Sequence, residues 1–122
     1  MQYCPEEVDF ISLFECLPIK KDQNEVFWYD ESTFIFSTET ETFKIKISPF
    51  YNSLSLLVKD VDGDERFYYN LQTVKKIEIV QDHKEKKEIR LFVDQGGDRF
   101  IRIIDIIFKP KFKVVLNEVF DF

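Results

Sequence analysis

The sequence predicts a mainly β protein of the β-rich α+β class, an antiparallel β-sandwich or strongly curved sheet with one short N-terminal helix. Three observations support this class. Apolar and polar residues alternate with a period of two over most of the chain, as in half-buried strands. Aromatic residues reach 16% of the composition, and they suit a pleated surface. Turn signals separate the alternating runs at short, regular intervals.

The length of the chain predicts a single domain over 1–122. A division of 122 residues would leave pieces too small to bury a useful core. Within this domain we expect a helix at 5–17 and antiparallel strands over 25–117. The apolar content of 44% is ample for packing, and three glycines and four prolines are too few for a disordered chain.

The expected location follows from signals that the sequence lacks. No run of 18 apolar residues occurs, so neither a membrane span nor a membrane partner is expected. The first seven residues have no basic region and no long apolar run follows them, which predicts a cytoplasmic protein. We therefore expect Cys4 and Cys16 to be reduced, with a disulfide between them as the alternative.

Residues 5–16 have the pattern of an amphipathic helix. Pro5 suits the first turn, and acidic residues follow it near the positive end of the helix dipole. Pro18 prevents the helix from continuing. The apolar residues at helical spacing are expected to pack onto a sheet, and they are Phe10, Leu13, Phe14 and Leu17.

The remaining chain alternates as strands do. Residues 26–29 and 33–36 are predicted as consecutive strands across a polar turn, and 43–47 places lysine outward and apolar residues inward. The later strands have inward positions at Leu54, Leu56 and Val58, at Phe67, Tyr69 and Leu71, at Ile77 and Ile79, at Ile89, Leu91 and Val93, and at Phe112, Val114 and Leu116. Turns are predicted at 60–64, 82–86 and 95–98.

Residues 99–108 fit two structures. Charges three residues apart, with Asp98 at a cap position, would suit a helix. Five isoleucines among the ten residues, and Pro110 just beyond them, favour a long central strand with a bulge. We predict the strand.

Three blocks of sequence recur in a known group of proteins. The first is the helix end Phe14-Glu15-Cys16-Leu17-Pro18, and the second is residues 43–54, FKIKISPFYNSL. The third is a strand–proline–strand unit from Ile103 to Leu116 around Pro110. In these features the chain resembles small bacterial immunity proteins of polymorphic and contact-dependent toxin systems. The resemblance implies a cognate inhibitor encoded beside a toxin, and it assigns no binding residues.

The sequence has no recognisable catalytic apparatus, so we predict no enzyme activity, no cofactor and no metal centre. His83 is the single histidine, which leaves a hydrolase triad without its usual base and a zinc site without ligands. Neither glycine-rich phosphate motif occurs, and three glycines cannot form one.

The acidic turn at 60–65, DVDGDE, has three interpretations. It is a hairpin tip that acids keep soluble, a weak calcium site, or an acidic docking loop. The pattern departs from a helix-flanked calcium loop, because its glycine comes too early and no glutamate stands at the twelfth position.

Charge is unevenly distributed along the chain. Residues 1–65 have a net charge of −9 and residues 66–122 a net charge of +3. An acidic surface repels nucleic acid and speeds association with a basic protein. We therefore predict a protein partner, a cognate toxin with a basic surface, and no nucleic-acid partner. The predicted partner-binding residues are Glu39, Glu41, Asp60, Asp62, Asp64 and Glu65.

Two further expectations concern assembly and the alternative function. The protein is expected to be a monomer or a weak dimer. The alternative function is a small-ligand or carbohydrate-binding β module that uses the aromatic residues. Lys109, Lys111 and Lys113 are expected to alternate along one exposed strand edge, where lysine opposes aggregation. The other interpretation is an RNA-binding stripe of C-terminal lysines, namely Lys75, Lys76, Lys84, Lys86, Lys87, Lys109, Lys111 and Lys113.

Overall fold

Two antiparallel sheets form most of the structure, a computed structural model that describes residues 1–94 and 100–120. The chain divides into an N-terminal unit, residues 6–72, and a C-terminal unit, residues 1–5 and 73–122. The predicted mainly β class with one short N-terminal helix is confirmed. The turn expected at 95–98 lies outside the described residues, as does Arg99.

The N-terminal unit is a helix followed by a five-stranded antiparallel sheet. Its strands lie side by side in chain order. The elements are α1 Glu7–Phe14, β1 Ile19–Lys20, a 3₁₀ helix Phe27–Tyr29, β2 Ser32–Ser37, β3 Glu41–Ser48, a second 3₁₀ helix Pro49–Tyr51, β4 Ser53–Asp60 and β5 Glu65–Leu71.

Helix α1 is shorter than the predicted segment 5–17. At its start the backbone N–H of Glu6 donates to Oδ2 of Asp9 over 2.9 Å. At its end Glu15 has a left-handed backbone with φ 55°, which turns the chain away three residues before Pro18. The expectation that Leu17 packs inward is therefore wrong, and its side chain is 77% exposed. The helices of the described residues lack the length and apolar character that crossing a bilayer demands.

The strand predicted at 26–29 is wrong, because residues Phe27–Tyr29 form a 3₁₀ helix. The N–H of Tyr29 donates to the carbonyl of Val26 over 3.1 Å, and the N–H of Asp30 donates to that of Phe27 over 3.3 Å. This tight turn lets Phe27 contact Phe10, with ring centroids 5.8 Å apart, and leaves Tyr29 exposed. In a strand Phe27 and Tyr29 would point to the same face, so one ring could not pack on Phe10 while the other is exposed.

A cluster of phenylalanines joins α1 to the first sheet. Phe34 on β2 contacts Phe10 and Phe14 of the helix, with ring centroids 5.9 and 5.2 Å away. Phe36 stacks between Phe14 and Phe43. The predicted alternation on β3 and β4 is confirmed, and its fully buried positions are Phe43, Ile45, Ile47, Leu54, Leu56 and Val58.

The C-terminal unit is a four-stranded antiparallel meander. Its strands are β6 Val74–His83, β7 Lys86–Asp94, β8 Phe100–Lys109 and β9 Lys113–Phe120, in that spatial order. The N-terminal residues add a short parallel pairing at the β6 edge. There the N–H of Gln2 donates to the carbonyl of Lys75 over 2.8 Å, and the N–H of Ile77 donates to that of Tyr3 over 3.1 Å.

The choice between strand and helix at 99–108 is settled in favour of the predicted strand. β8 lies between β7 and β9, and its Ile104 and Ile106 are fully buried. The register with β7 shifts by one residue, since Lys87 lies opposite Lys109 and Glu88 lies opposite Ile107. That irregularity corresponds to the predicted bulge.

The predicted lysine edge and the last strand need correction. Lys109 ends β8 and Lys113 begins β9, so the lysines do not alternate along one strand. Phe112 precedes β9, and Leu116, expected inward, is exposed. β9 is the outer strand of its sheet, which leaves its side chains with a neighbour on one side only.

Both cysteines are free thiols in different units. Burial raises the pKa of Cys4 to about 12. Burial also raises the pKa of Cys16, although a hydrogen bond with the backbone of Ile35 opposes the rise. Because the thiolate is the reactive form, both thiols are expected to be slow nucleophiles near neutral pH.

Cys4 is expected to react with iodoacetamide at pH 8 at least about tenfold more slowly in the folded protein than in urea. A thiol with a pKa near 12 has very little thiolate at this pH, and the gain in nucleophilicity at high pKa compensates only in part. Peptide mass spectrometry measures the rate, and Cys16 in the same sample is the internal control. Equal rates for Cys4 in folded and unfolded protein would contradict the burial.

Candidate functional site

All six predicted partner-binding acids lie at one end of the first sheet, which we call the acidic end. Strands β2 and β4 finish there, and β3 and β5 begin there. Glu41 lies directly opposite Asp60 in the register of β3 and β4. The acidic end is thus formed by Glu39, Glu41, Asp60, Asp62, Asp64 and Glu65, and the turns that join β2 to β3 and β4 to β5 bring them together.

The carboxylate of Asp60 stabilises the β4–β5 turn through hydrogen bonds. Its Oδ1 accepts the N–H groups of Asp62 and Asp64 over 2.9 and 3.0 Å, and its Oδ2 accepts from Nε of Arg66 over 2.8 Å. Desolvation alone would raise the pKa of Asp60, but the bonds from Asp64, Arg66 and Asp62 outweigh it and hold the pKa below its usual value. Gly63 completes the turn with φ +84°. Asp60 is therefore a structural residue of the hairpin.

The other acids of this turn remain on the surface. Asp62, Asp64 and Glu65 are exposed, and exposed Val61 stands among them at the hairpin tip. In residues 1–94 and 100–120, no group of three or more acidic, histidine or cysteine side chains is arranged to hold a metal ion. The exposed carboxylates are free to face a basic surface in solution.

A cleft lies at the opposite end of the same sheet, and no pattern in the sequence predicts it. Its volume is about 820 Å³. Its walls come from the β1–β2 connection, the β3–β4 connection and the residue that follows β5. We call it the Asp30 cleft, and its lining residues include Asp22, Glu25, Tyr29, Asp30, Glu31 and Tyr51.

Asp30 is the most buried charged residue at the cleft, with 5% of its surface exposed. Its Oδ1 accepts the N–H of Asp22 over 3.0 Å, which closes the β1–β2 connection onto itself. Its Oδ2 has no hydrogen-bond partner within the part of the chain that the structure describes, and the same holds for the buried hydroxyl of Ser32. The start of β2 therefore combines buried polar atoms with incomplete hydrogen bonding.

Exposed aromatic rings stand beside the cleft. The ring of Tyr29 lies 5.3 Å from that of Phe50, which in turn lies 5.2 Å from Tyr51. All three are more than half exposed. Large aromatic side chains at a protein surface are the residues that usually anchor interfaces. The two 3₁₀ helices present them, and Asn52 with φ 58° ends the second one.

Several lysines of the C-terminal unit already have partners. Lys76 pairs with Glu78 over 2.7 Å and lies over the ring of Phe92 at 5.0 Å. Lys87 is nearly buried and donates to Asp82 over 2.7 Å. These bonds make Lys76 and Lys87 poor candidates for an RNA-binding stripe, which needs cations available to phosphate.

Comparison with known proteins adds a likeness in fold. No protein-family model matches the chain, and no curated protein matches it. A chain of the solved structure described as "Contact-dependent growth inhibition toxin - immunity protein complex from Klebsiella pneumoniae 342" is similar, with a TM-score of 0.71 and 16% identity. The match covers 94% of this chain and 95% of that chain. The chain therefore shares its fold with a chain of a toxin–immunity protein complex of a contact-dependent growth inhibition system.

Proposed function

We propose that this chain is an immunity protein that binds a cognate bacterial toxin stoichiometrically and neutralises it by covering its active site or an adjacent surface. The fold likeness over 94% of the chain is the observation that carries the proposal. Because one fold serves many functions, the surface of this chain has to supply the rest of the argument.

The surface of the N-terminal unit suits a basic protein partner. At the acidic end, exposed carboxylates surround the exposed side chain of Val61. At the other end, exposed aromatic rings border a cleft with acidic walls. Such charges attract a basic toxin over long distances, and the rings offer the contacts that stabilise a complex. The inhibitor acts in the cytoplasm without chemistry of its own.

The test uses the gene beside the one that encodes this chain. Expressed alone, the product of that gene is expected to stop growth, and co-expression of the 122-residue chain is expected to restore it. The two proteins should then elute together at a 1:1 ratio. Toxicity that persists at equal expression, with no complex, would contradict the proposal.

A small-ligand or carbohydrate-binding module is the second candidate, and the Asp30 cleft is the observation in its favour. Tyrosines beside a polar cleft of about 820 Å³ could seat a sugar. The four acidic residues in its lining, against the single basic Lys21, favour a cationic group instead. A glycan array with saturable binding to a neutral sugar would support this second candidate.

A further inference from the structure

We propose that the Asp30 cleft is the seat for a basic side chain of the partner protein, and that arginine suits it best. The proposed function supplies the identity of the partner, a basic toxin. The chemistry of the cleft itself rests on the burial, charges and aromatic rings of residues within the N-terminal unit, so it can be tested without any toxin.

The charge of the cleft selects a cation. Four acidic residues line it, namely Asp22, Glu25, Asp30 and Glu31, and one basic residue, Lys21, opposes them. Glu31 is partly compensated by Lys46, whose Nζ lies 3.9 Å from Oε1. The ammonium of Lys20 is also close, since it donates to the backbone carbonyl of Glu25, and the acids still exceed these three lysines by one. The remaining excess of negative charge attracts a guanidinium or ammonium group and repels a phosphate or carboxylate.

Asp30 points to the same conclusion independently of the count of charges. The residue is 95% buried, and its buried Oδ2 has no hydrogen-bond partner among the described residues. Burying a carboxylate with incomplete hydrogen bonding costs stability. A cation in the cleft beside Asp30 compensates this charge, so binding relieves a cost that the free protein already bears.

The aromatic rings favour arginine over lysine. A guanidinium is planar and weakly hydrated, and it stacks on aromatic faces while it donates hydrogen bonds in its own plane. Tyr29 and Tyr51 line the cleft, and Phe50 contacts both rings. A guanidinium in the cleft can therefore stack on one of the tyrosine rings and donate to an acidic wall at the same time.

The size of the cleft is consistent with one long side chain and part of its backbone. Its volume of about 820 Å³ falls in the range of sites that enclose small ligands. An exposed acidic patch would bind cations only diffusely. A cleft with a buried carboxylate at its wall offers a defined position instead.

The experiment titrates the ¹⁵N-labelled full chain with the tripeptide acetyl-Gly-Arg-Gly-amide and follows backbone amide shifts by NMR. The citrulline tripeptide is the control ligand, since it has nearly the same shape and no charge. We expect saturable shifts at the amides of Asp22, Tyr29 and Asp30 with the arginine peptide, at roughly millimolar affinity. The citrulline peptide is expected to bind at least about fivefold more weakly.

Two variants locate the binding. Tyr51→Ala is expected to weaken the arginine peptide about threefold through loss of ring stacking. Tyr68→Ala is the matched control, because Tyr68 on β5 is as exposed as Tyr29, at 57%, and does not line the cleft. Asp30→Asn should weaken binding further. If Asp30→Asn does not fold, Tyr51→Ala with its 69% exposed side chain still decides the question.

Three results would overturn the inference: no saturable shift with the arginine peptide, equal binding of the citrulline peptide, or equal losses in Tyr51→Ala and Tyr68→Ala. None of them depends on a toxin. Arginine binding together with failure to neutralise the neighbouring gene product would leave the cleft intact as a cation site and reject the proposed function. The reverse pair of results would keep the function and reject this cleft as the seat of arginine.

Discussion

Replacement of Phe34 by alanine is expected to lower the free energy of unfolding by about 3–5 kcal/mol. The Phe34 ring is fully buried and contacts two rings of the helix, Phe10 and Phe14, at centroid distances of 5.9 and 5.2 Å. Alanine removes these contacts and leaves a cavity that the surrounding strands cannot close. Since a small protein is stable by about 5–15 kcal/mol, this loss is a large fraction of the total stability.

Ile35→Ala is the matched control for Phe34→Ala. Ile35 is the next residue of β2, its side chain points to the other face, and it is 46% exposed. We expect this variant to lose about 1 kcal/mol or less. Urea unfolding followed by Trp28 fluorescence measures both. A similar loss in the two variants would mean that the helix does not pack on Phe34 as described.

Removal of three negative charges at the acidic end is expected to slow association with the cognate toxin about tenfold at low salt. The variant combines Asp62→Asn, Asp64→Asn and Glu65→Gln. These side chains are exposed at the acidic end, so they contribute to the field that an approaching basic protein meets. The salt dependence of the association rate should weaken in parallel. Stopped-flow mixing at two ionic strengths measures both effects.

The control for this variant changes charge elsewhere by the same amount. Glu15→Gln, Glu85→Gln and Glu118→Gln also remove three exposed negative charges, at residues that do not belong to the acidic end, and are expected to change the rate less than about twofold. Equal slowing in both triple variants would show that net charge matters and the position of the acids does not. Asp60 is left unchanged, because its bonds to the turn and to Arg66 would mix stability with steering.

Pattern in the sequence was a good guide to strands. On β3, β4 and β7 the side chains at alternate positions are buried as predicted, because a period of two depends only on local geometry and on which residues avoid water. The strand at 99–108 was also predicted, since five isoleucines outweighed a helical spacing of charges. The strand predicted at 26–29 is wrong. Three consecutive aromatic residues there show no alternation, and a 3₁₀ turn places Phe27 against Phe10.

The sequence also predicts only part of the candidate site. The acidic turns are visible in the sequence, which does not show that Asp60 accepts hydrogen bonds from Asp62, Asp64 and Arg66 within its turn. The Asp30 cleft had no signal of its own. A buried aspartate with an unpaired oxygen looks, in a sequence, like any acidic turn residue.

The features that the sequence predicts depend on neighbouring residues, and the features that it does not predict depend on contacts between residues far apart in the chain. Alternation, helix capping at Glu6 and the acidic character of the chain are properties of neighbouring residues, so the residues alone specify them. The acidic end and the Asp30 cleft depend on strand register, which places turns from separate parts of the chain at one end of a sheet or the other. Only folding brings Tyr29 and Tyr51 to the same cleft, because no short-range preference joins residues so far apart in the chain.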